Sequence, residues 1–452
     1  MKKTFILTAM AAMAISANVM AQEDADKNYI RNSVYMIKLD EAAPKADYAE
    51  AFKIMNATFD TINFARNYER YNDFALDVRH IDFSKLPAVT QAETDAFGKE
   101  TAIEKAANEA LKSQGLKTSA SEYEYAAKLS KYFTQNQFAH KLIAKWYSKP
   151  GTPVGKCNFD DNLQVIYELG LKGLSQEAYD NAKATGNLTS MAYGSTQKLL
   201  SNTYVCVNRY SYMSAEEVVA VTGAAMKLAA ANLPALAQVA ANKGIDLLAS
   251  KIKGYFVRAN AFLFRLDWNE AQQKKFERTY WSNPAGFMKD NSFKLTYMGK
   301  SAKRAPAGLS LKASTTLDKL IARATVRGTD AAFAALQRDY EDFRPMTSLH
   351  VIDGKLAAYI GMKEGVTSGD KFNVYEAVQS KTDPNLTEWK EVGTIKVEKG
   401  CVWDNRAGAG EVIEGASSDT SEKEDKAGKL PYTVFSGKPG KLGEGNMIRL
   451  AK

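Results

Sequence analysis

The residues able to do chemistry in this chain are few and scattered. Asp77, His80 and Asp82 fall within one apolar-flanked segment. Strand alternation sets His80 and Asp82 on one face and Asp77 on the other. A His/Asp pair on one face is an acid–base arrangement, and a solvated strand edge uses the same residues. Asp160 and Asp161 follow Cys157-Asn158-Phe159. Two adjacent carboxylates suit either a cation or the positive end of a helix. Cys157 with His140 and a carboxylate would make a nucleophile–base set, without any local signature for one.

Familiar catalytic signatures are missing. The sequence contains no HExxH, no GxSxG and no GxxxxGK[ST]. It has three histidines, His80, His140 and His350, each distant from the others, so no ordinary zinc spacing arises. The reading therefore assigns no catalytic residue, no metal and no cofactor. Two aromatic clusters lie beside turn signals: Trp146-Tyr147 and Trp403-Asp404-Asn405-Arg406. Exposed, they would bind a peptide or glycan; buried, they pack corners.

The elements that would carry these residues alternate in type. Ser33 to Leu39 reads as a buried strand, and Tyr48, Phe52, Met55, Phe59 and Ile62 share one helical face. Phe74 to Phe83 reads as a strand. Thr90-Gln91-Ala92-Glu93 and Ser119-Ala120-Ser121-Glu122 fit the capping box, the first opening a helical stretch that runs to Gly115. Lys141 to Tyr147 is taken as a strand, before the breaker Lys149-Pro150-Gly151. Tyr204 to Tyr212 and Gly254 to Trp268 are strands by β-branched and aromatic content. Ser214 caps a helix with Glu216 and Glu217 in its first turn, and Asn269 caps another. Phe293, Leu295 and Tyr297 alternate as a half-buried strand. Ser314 and Thr329 are expected to cap two helices parted by Gly328. After Pro345 helical periodicity stops and short strands follow: Ala357 to Ile360, Lys371 to Val378, Glu391 to Glu398, Tyr432 to Phe435 and Asn446 to Leu450.

At the amino end, Lys2 and Lys3 precede an apolar run from Phe5 to Val19, and Val19-Met20-Ala21 supplies a cleavage site. These are the three parts of a secretory signal. The expected mature chain begins near Gln22 and works in the periplasm or at the outer-membrane periphery. Its formal charge falls from +8 to +6 as Lys2 and Lys3 leave. No dense Lys/Arg block exists, which argues against nucleic acid. Cys157, Cys206 and Cys401 are an odd set for an exported chain; they read as small buried hydrophobes, with one bridge as the alternative. Apolar content of 45% allows extensive cores. The expected fold class is α+β. An α/β body over 22–345, with a mixed sheet, flanking helices and a division near 150, precedes a small all-β module over 346–452. Gly415 to Lys429 is polar and aromatic-free and reads as a mobile loop in that module.

A resemblance attaches to the tail. Ile360-Gly361, Glu364-Gly365, Gly369-Asp370-Lys371-Phe372-Asn373-Val374-Tyr375, Val392 to Val397 and Gly445-Asn446-Met447-Ile448 resemble the SH3-like domain of flagellar assembly protein T. That implies a small SH3-like barrel. The body, through Tyr204 to Val207 and Arg265-Leu266-Asp267, is faintly similar to the curli secretion channel family, but without that family's lipid-bearing Cys. Arg31 to Leu39, Lys141 to Tyr147, Asn202 to Val207 and Tyr359 to Arg406 resemble uncharacterised secreted Bacteroidetes proteins. None of these resemblances supplies catalytic residues.

The functional expectation is an exported, non-enzymatic binding or assembly protein of the cell envelope, docking on an envelope protein or on itself. Two alternatives remain. One is an exported hydrolase drawing on His80, Asp82, His140 and Asp160. The other is a peripheral membrane or pore-forming protein using Val218 to Ala241, an Ala/Val-rich run interrupted by Pro234 and read as two packed helices.

Overall fold

The computed structural model describes residues 29–30, 33–62, 78–116, 120–147, 183–184, 186, 200–230, 242–244, 254–307, 316–379, 387–407, 409 and 431–451. The leader (1–21), Asp77, Cys157, Asp160, Asp161, Pro234 and the loop 415–429 lie outside the described residues.

Two sheets organise the chain. The short strand β1 (Tyr29–Ile30) precedes the central strand β2 (Ser33–Asp40). Next come helix α1 (Ala49–Thr61), strand β3 (His80–Asp82) and helices α2 (Gln91–Asp95), α3 (Ala102–Ser113), α4 (Glu122–Gln135) and α5 (Phe138–Tyr147). Strand β4 (Thr203–Ser214), helix α6 (Ala215–Ala230) and strand β5 (Tyr255–Leu266) follow. Helices α7 (Glu270–Lys275) and α8 (Pro284–Phe287), strand β6 (Leu295–Ala307) and helix α9 (Leu317–Asp339) complete this part. The first sheet has the order β3-β2-β4-β5-β6. It is mixed: β2 runs parallel to β3 and β4, whereas β4, β5 and β6 are antiparallel.

Alternation along β2 explains the two cores. Tyr35, Ile37 and Leu39 face a cluster with α4, α5 and the segment around Phe276, Phe287 and Phe293. Val34 and Met36 face the opposite cluster with Met55 and Phe59 of α1 and Ile321, Phe333 and Leu336 of α9. Each fully buried large apolar side chain contributes on the order of 1.5–3 kcal/mol.

The second sheet is all antiparallel, in the order β1-β7-β13-β10-β11-β12-β9-β8. Its further strands are β7 (Met346–Ser348), β8 (His350–Ile352), β9 (Lys355–Ala358), β10 (Lys371–Gln379), β11 (Thr387–Val397), β12 (Thr433–Ser436) and β13 (Met447–Leu450). Leu356, Phe372, Val374, Ile395, Phe435 and Ile448 fill its interior. Gly365 (φ 73°) and Gly369 (φ 86°) make the left-handed turns that precede β10. The chain is thus α+β: a mixed sheet with flanking helices, then an all-β unit. Strand β1 returns to that unit by pairing with β7.

Several local expectations are corrected. Lys141 to Tyr147 is helical, because Phe138, Ala139, Leu142 and Ile143 bury one helical face. Within Phe74 to Phe83, the described strand is only His80–Asp82; the Asp82 carboxylate then accepts the Ser84 amide and starts a 3-10 turn. The Thr90 capping box is present, but its helix ends at Asp95 and a second box at Thr101 opens α3. Ser121, rather than Ser119, caps α4 by accepting the Glu124 amide. Residues 317–339 form one helix through Gly328, capped by Thr316. Thr329 caps nothing. Its hydroxyl lies 2.8 Å from the Thr325 carbonyl and 2.6 Å from the Tyr210 hydroxyl. Helix α6 buries Val218 and Val221 in the body, and among the described residues no helix is long and apolar enough to cross a membrane.

Helix α9 ties the sheets together. It packs on β5 and β6, and a methyl group at Gly328 would stand 3.4 Å from the Ala259 Cβ. At its far end Arg338 forms a two-pronged ion pair with Asp370, at 2.8 and 3.0 Å, and donates to the Gly365 carbonyl. Burial pushes the Asp370 carboxyl up, but hydrogen bonds from Arg338 and the Thr367 amide outweigh it and hold the group below its ordinary value.

Unfolding by heat or urea tests both contacts. Gly328→Ala should match the parent or gain up to ~1 kcal/mol from helix propensity. Gly328→Val should lose roughly 1–3 kcal/mol by overpacking Ala259. Equal effects would remove the close-approach argument. Asp370→Asn should cost about 1–2 kcal/mol at neutral pH. A depressed carboxyl stabilises above its unfolded pKa, and that stability is lost as pH falls through the folded value. The gap between Asp370→Asn and parent should therefore narrow below pH 3.8; a gap constant with pH would exclude the ion pair as its source.

Candidate functional site

The three described residues of the hydrolase reading occupy separate settings. His80 is clamped: Nδ1 lies 2.9 Å from Asp40 Oδ2 and Nε2 2.7 Å from Asp60 Oδ1. Asp82 faces Ser84 instead. His140 is buried against Phe287 and Phe293, with Nε2 2.9 Å from the Asp290 carbonyl, and burial lowers its pKa. Asp160 is not among the described residues.

The aromatic clusters divide similarly. Trp146 and Tyr147 end α5, and their side chains are not described. Trp403 to Arg406 form a turn of the all-β unit just before the residue that meets α9. Trp403 pairs with Gly361 through backbone, and Asn405 accepts the Lys363 amide and donates to Glu364. Arg406 grips Asp404 with two bonds, and the next carbonyl, Ala407, accepts from Arg327 of α9. These polar groups hold a turn. Cys206 is buried in the first sheet and Cys401 is half-buried in the second; both are thiols. Cys157 lies outside the described residues.

Charge gathers elsewhere, on the face of the first sheet toward α4. Glu41 follows β2, at the carboxyl end of a parallel pair, where crevices form. Its carboxylate accepts from Arg209 Nε and from the Tyr125 hydroxyl. The Arg209 guanidinium stacks 4.6 Å from the Tyr125 ring. Side-chain exposure of 8% for Arg209 and 16% for Glu41 makes this an interior ion pair. Burial raises the Tyr125 hydroxyl well above its ordinary value.

From there the charges cross β5 to the edge strand β6. Arg258 Nη2 lies 2.9 Å from Glu122 Oε1, and Lys300 Nζ lies 2.8 Å from Glu104 and 3.5 Å from Glu122. Glu104 serves twice, since its other oxygen accepts the Thr101 amide in the α3 capping box. Burial raises its pKa, but Lys300 and Thr101 outweigh that and hold it low. Lys300 also lies 4.2 Å over the Tyr123 ring. Burial lowers the Arg258 pKa, and the like charge of Arg209 adds to this.

These residues line a cleft of about 240 Å³ between β6 and helices α3, α4 and α6. Glu100, Glu104, Glu122, Arg258, Lys300 and Arg304 supply its charges, with Glu100 held by Asn108. Each of its carboxylates accepts a hydrogen bond from a neighbouring side chain. Arg304 differs. It faces Arg258 directly across the β5–β6 ladder, an arrangement that destabilises a sheet. Its one hydrogen bond is to Thr222 Oγ1 at 3.3 Å, with no carboxylate among the described residues. Desolvation and the charge of Arg258 lower its pKa to about 10. The side chain still reaches solvent, so this is the crowding of a rim.

A second cavity, about 420 Å³, lies beside Tyr48, Tyr212 and Tyr255. Its acids are Asp47, in the 3-10 turn before α1, and Glu50, Glu216, Glu217 and Asp318, in the first turns of α1, α6 and α9, where helix dipoles favour them. The space between α9 and the all-β unit holds about 30 Å³, room for one water.

The sequence reading did not single out Arg209, Arg258, Lys300 or Arg304. A signal existed: an arginine inside each apolar strand, YVCVNRYSY and YFVRANAFLF, is costly unless paired. Comparison with known proteins adds no relative, since no family model, curated protein or solved structure matches this chain.

Breaking the interior pair should be expensive. Glu41→Ala leaves Arg209 buried and unpaired and should lose about 3–5 kcal/mol in urea unfolding. The double variant Glu41→Met/Arg209→Met should recover most of that loss. Failure of the double to recover would show that the network matters for more than charge balance.

Proposed function

We propose that this protein is an exported, non-enzymatic binding protein of the cell envelope, and that the cleft along β6 is its recognition surface. The observation that carries the reading is the pairing of the cleft. Its carboxylates are all engaged, while Arg304 sits opposite another arginine at the rim with no carboxylate partner among the described residues. Such a surface is suited to holding a ligand by charge and hydrogen bonding. The separate settings of His80, Asp82 and His140 favour binding over hydrolysis. The leader Lys2 to Ala21 supports export, and the SH3-like resemblance of the tail supports an assembly role. The clamp between α9 and the all-β unit would keep that unit rigid against the body.

Photo-crosslinking in the producing cell tests this. A photoreactive residue in place of Ala302, on the cleft wall, should capture an envelope component or a second copy. Arg304→Gln should abolish the capture, and the recovered chain should begin at Gln22. A chain retained in the cytoplasm, or capture unchanged by Arg304→Gln, would overturn the proposal.

A further inference from the structure

The cleft also indicates the chemistry of what it binds. We infer that the Arg258–Arg304 pair, backed by Asn260, is a site for an oxyanion: a carboxylate or phosphate group on a small ligand or on one unit of a larger one. This rests on the reading of the cleft as a recognition surface.

Three observations converge. First, Arg258 and Arg304 are register partners, so their side chains project to the same face. Arg258 has one carboxylate, Glu122, and Arg304 has none among the described residues. A bound oxyanion would turn this repulsive pair into a clamp, because guanidinium forks match the oxygens of carboxylate and phosphate.

Second, Asn260 is 1% exposed, and its amide nitrogen and oxygen both lack a hydrogen-bond partner among the described residues. An orphaned buried amide is destabilising, because it gives up water without gaining a partner. Asn260 is two residues from Arg258 on the same strand face, and its register partner across β6 is Ala302, which lines the cleft. The amide therefore lies on the same sheet face as the cleft, between Arg209 and Ala302, and its N–H groups are donors of the kind an oxyanion uses.

Third, the size is limiting. The cleft holds about 240 Å³, below the roughly 300–1,000 Å³ of ordinary ligand pockets. That admits one charged group and a small body. Glu100, Glu104 and Glu122 also line it, so a dianion or long polyanion is disfavoured away from the two arginines.

Isothermal titration of the full chain with inorganic phosphate and with acetate, at constant ionic strength in chloride, tests the site. Saturable binding of at least one is expected, weakened at least tenfold by Arg304→Gln. Lys303→Gln removes an exposed neighbouring charge and should change nothing. Preference for phosphate or acetate tells which group the site takes. Should Arg304→Gln fold poorly by circular dichroism, Arg304→Lys, which keeps the charge and loses the two-pronged guanidinium, should still weaken binding. No saturable binding, or equal weakening by Lys303→Gln, would overturn the site in favour of diffuse charge. Anion binding without captured envelope partner would leave the site standing and remove the envelope reading. Capture without anion binding would do the reverse.

Discussion

The close approach of helix α9 to strand β5 is the constraint on which the architecture rests. A helix can lie that near a strand only where the facing residues are small, and Gly328 over Ala259 supplies this contact. The helix then has little freedom to rotate. Thr325 and Thr329 satisfy their hydroxyls on the carbonyls one turn back, and Tyr210 reaches across to Thr329. With the helix fixed, its carboxyl end delivers Arg338 to Asp370, and Arg344 spans from the Arg338 carbonyl to that of Leu450. A cation in the last turn is also favoured by the helix dipole. The all-β unit is thus held by directional bonds and by the β1–β7 pairing as well as by apolar contact.

The same helix braces β6, the strand that carries Lys300 and Arg304. An edge strand with exposed Lys303 and Arg304 and a proline at 306 is poorly suited to pairing with another chain. Its charges have a second consequence. Along one sheet face, Arg209, Arg258 and Arg304 stand on three successive strands, with Glu41 and Glu122 opposing the first two. Interior ion pairs rarely add net stability over apolar packing. This row ends at Arg304, which has no carboxylate among the described residues, so net stabilisation does not account for it.

Much of the fold was legible as pattern. Strands β2, β4 and β5 stand out by β-branched and aromatic runs, α1 by its apolar face, and α6 by Ser214 with Glu217. The errors have local causes. Lys141 to Tyr147 is short enough that an apolar run does not separate helix from strand. Gly328 looks like a helix end until the strand beneath it is known, since its small size serves packing and not termination. Gly98, at φ 135°, divides what reads as one helical stretch.

By itself the sequence determined which segments alternate, the helix caps at Thr90, Ser214 and Asn269, that an α+β chain ends in short strands, and that arginines interrupt two apolar strands. Only the tertiary structure decided what those arginines meet. Opposition across a ladder depends on register. Here a bulge at Leu263/Phe264 shifts β6 by one residue, and the register beyond it sets Arg304 against Arg258. No periodicity within a single strand encodes that offset, because the partner strand and the bulge together set it.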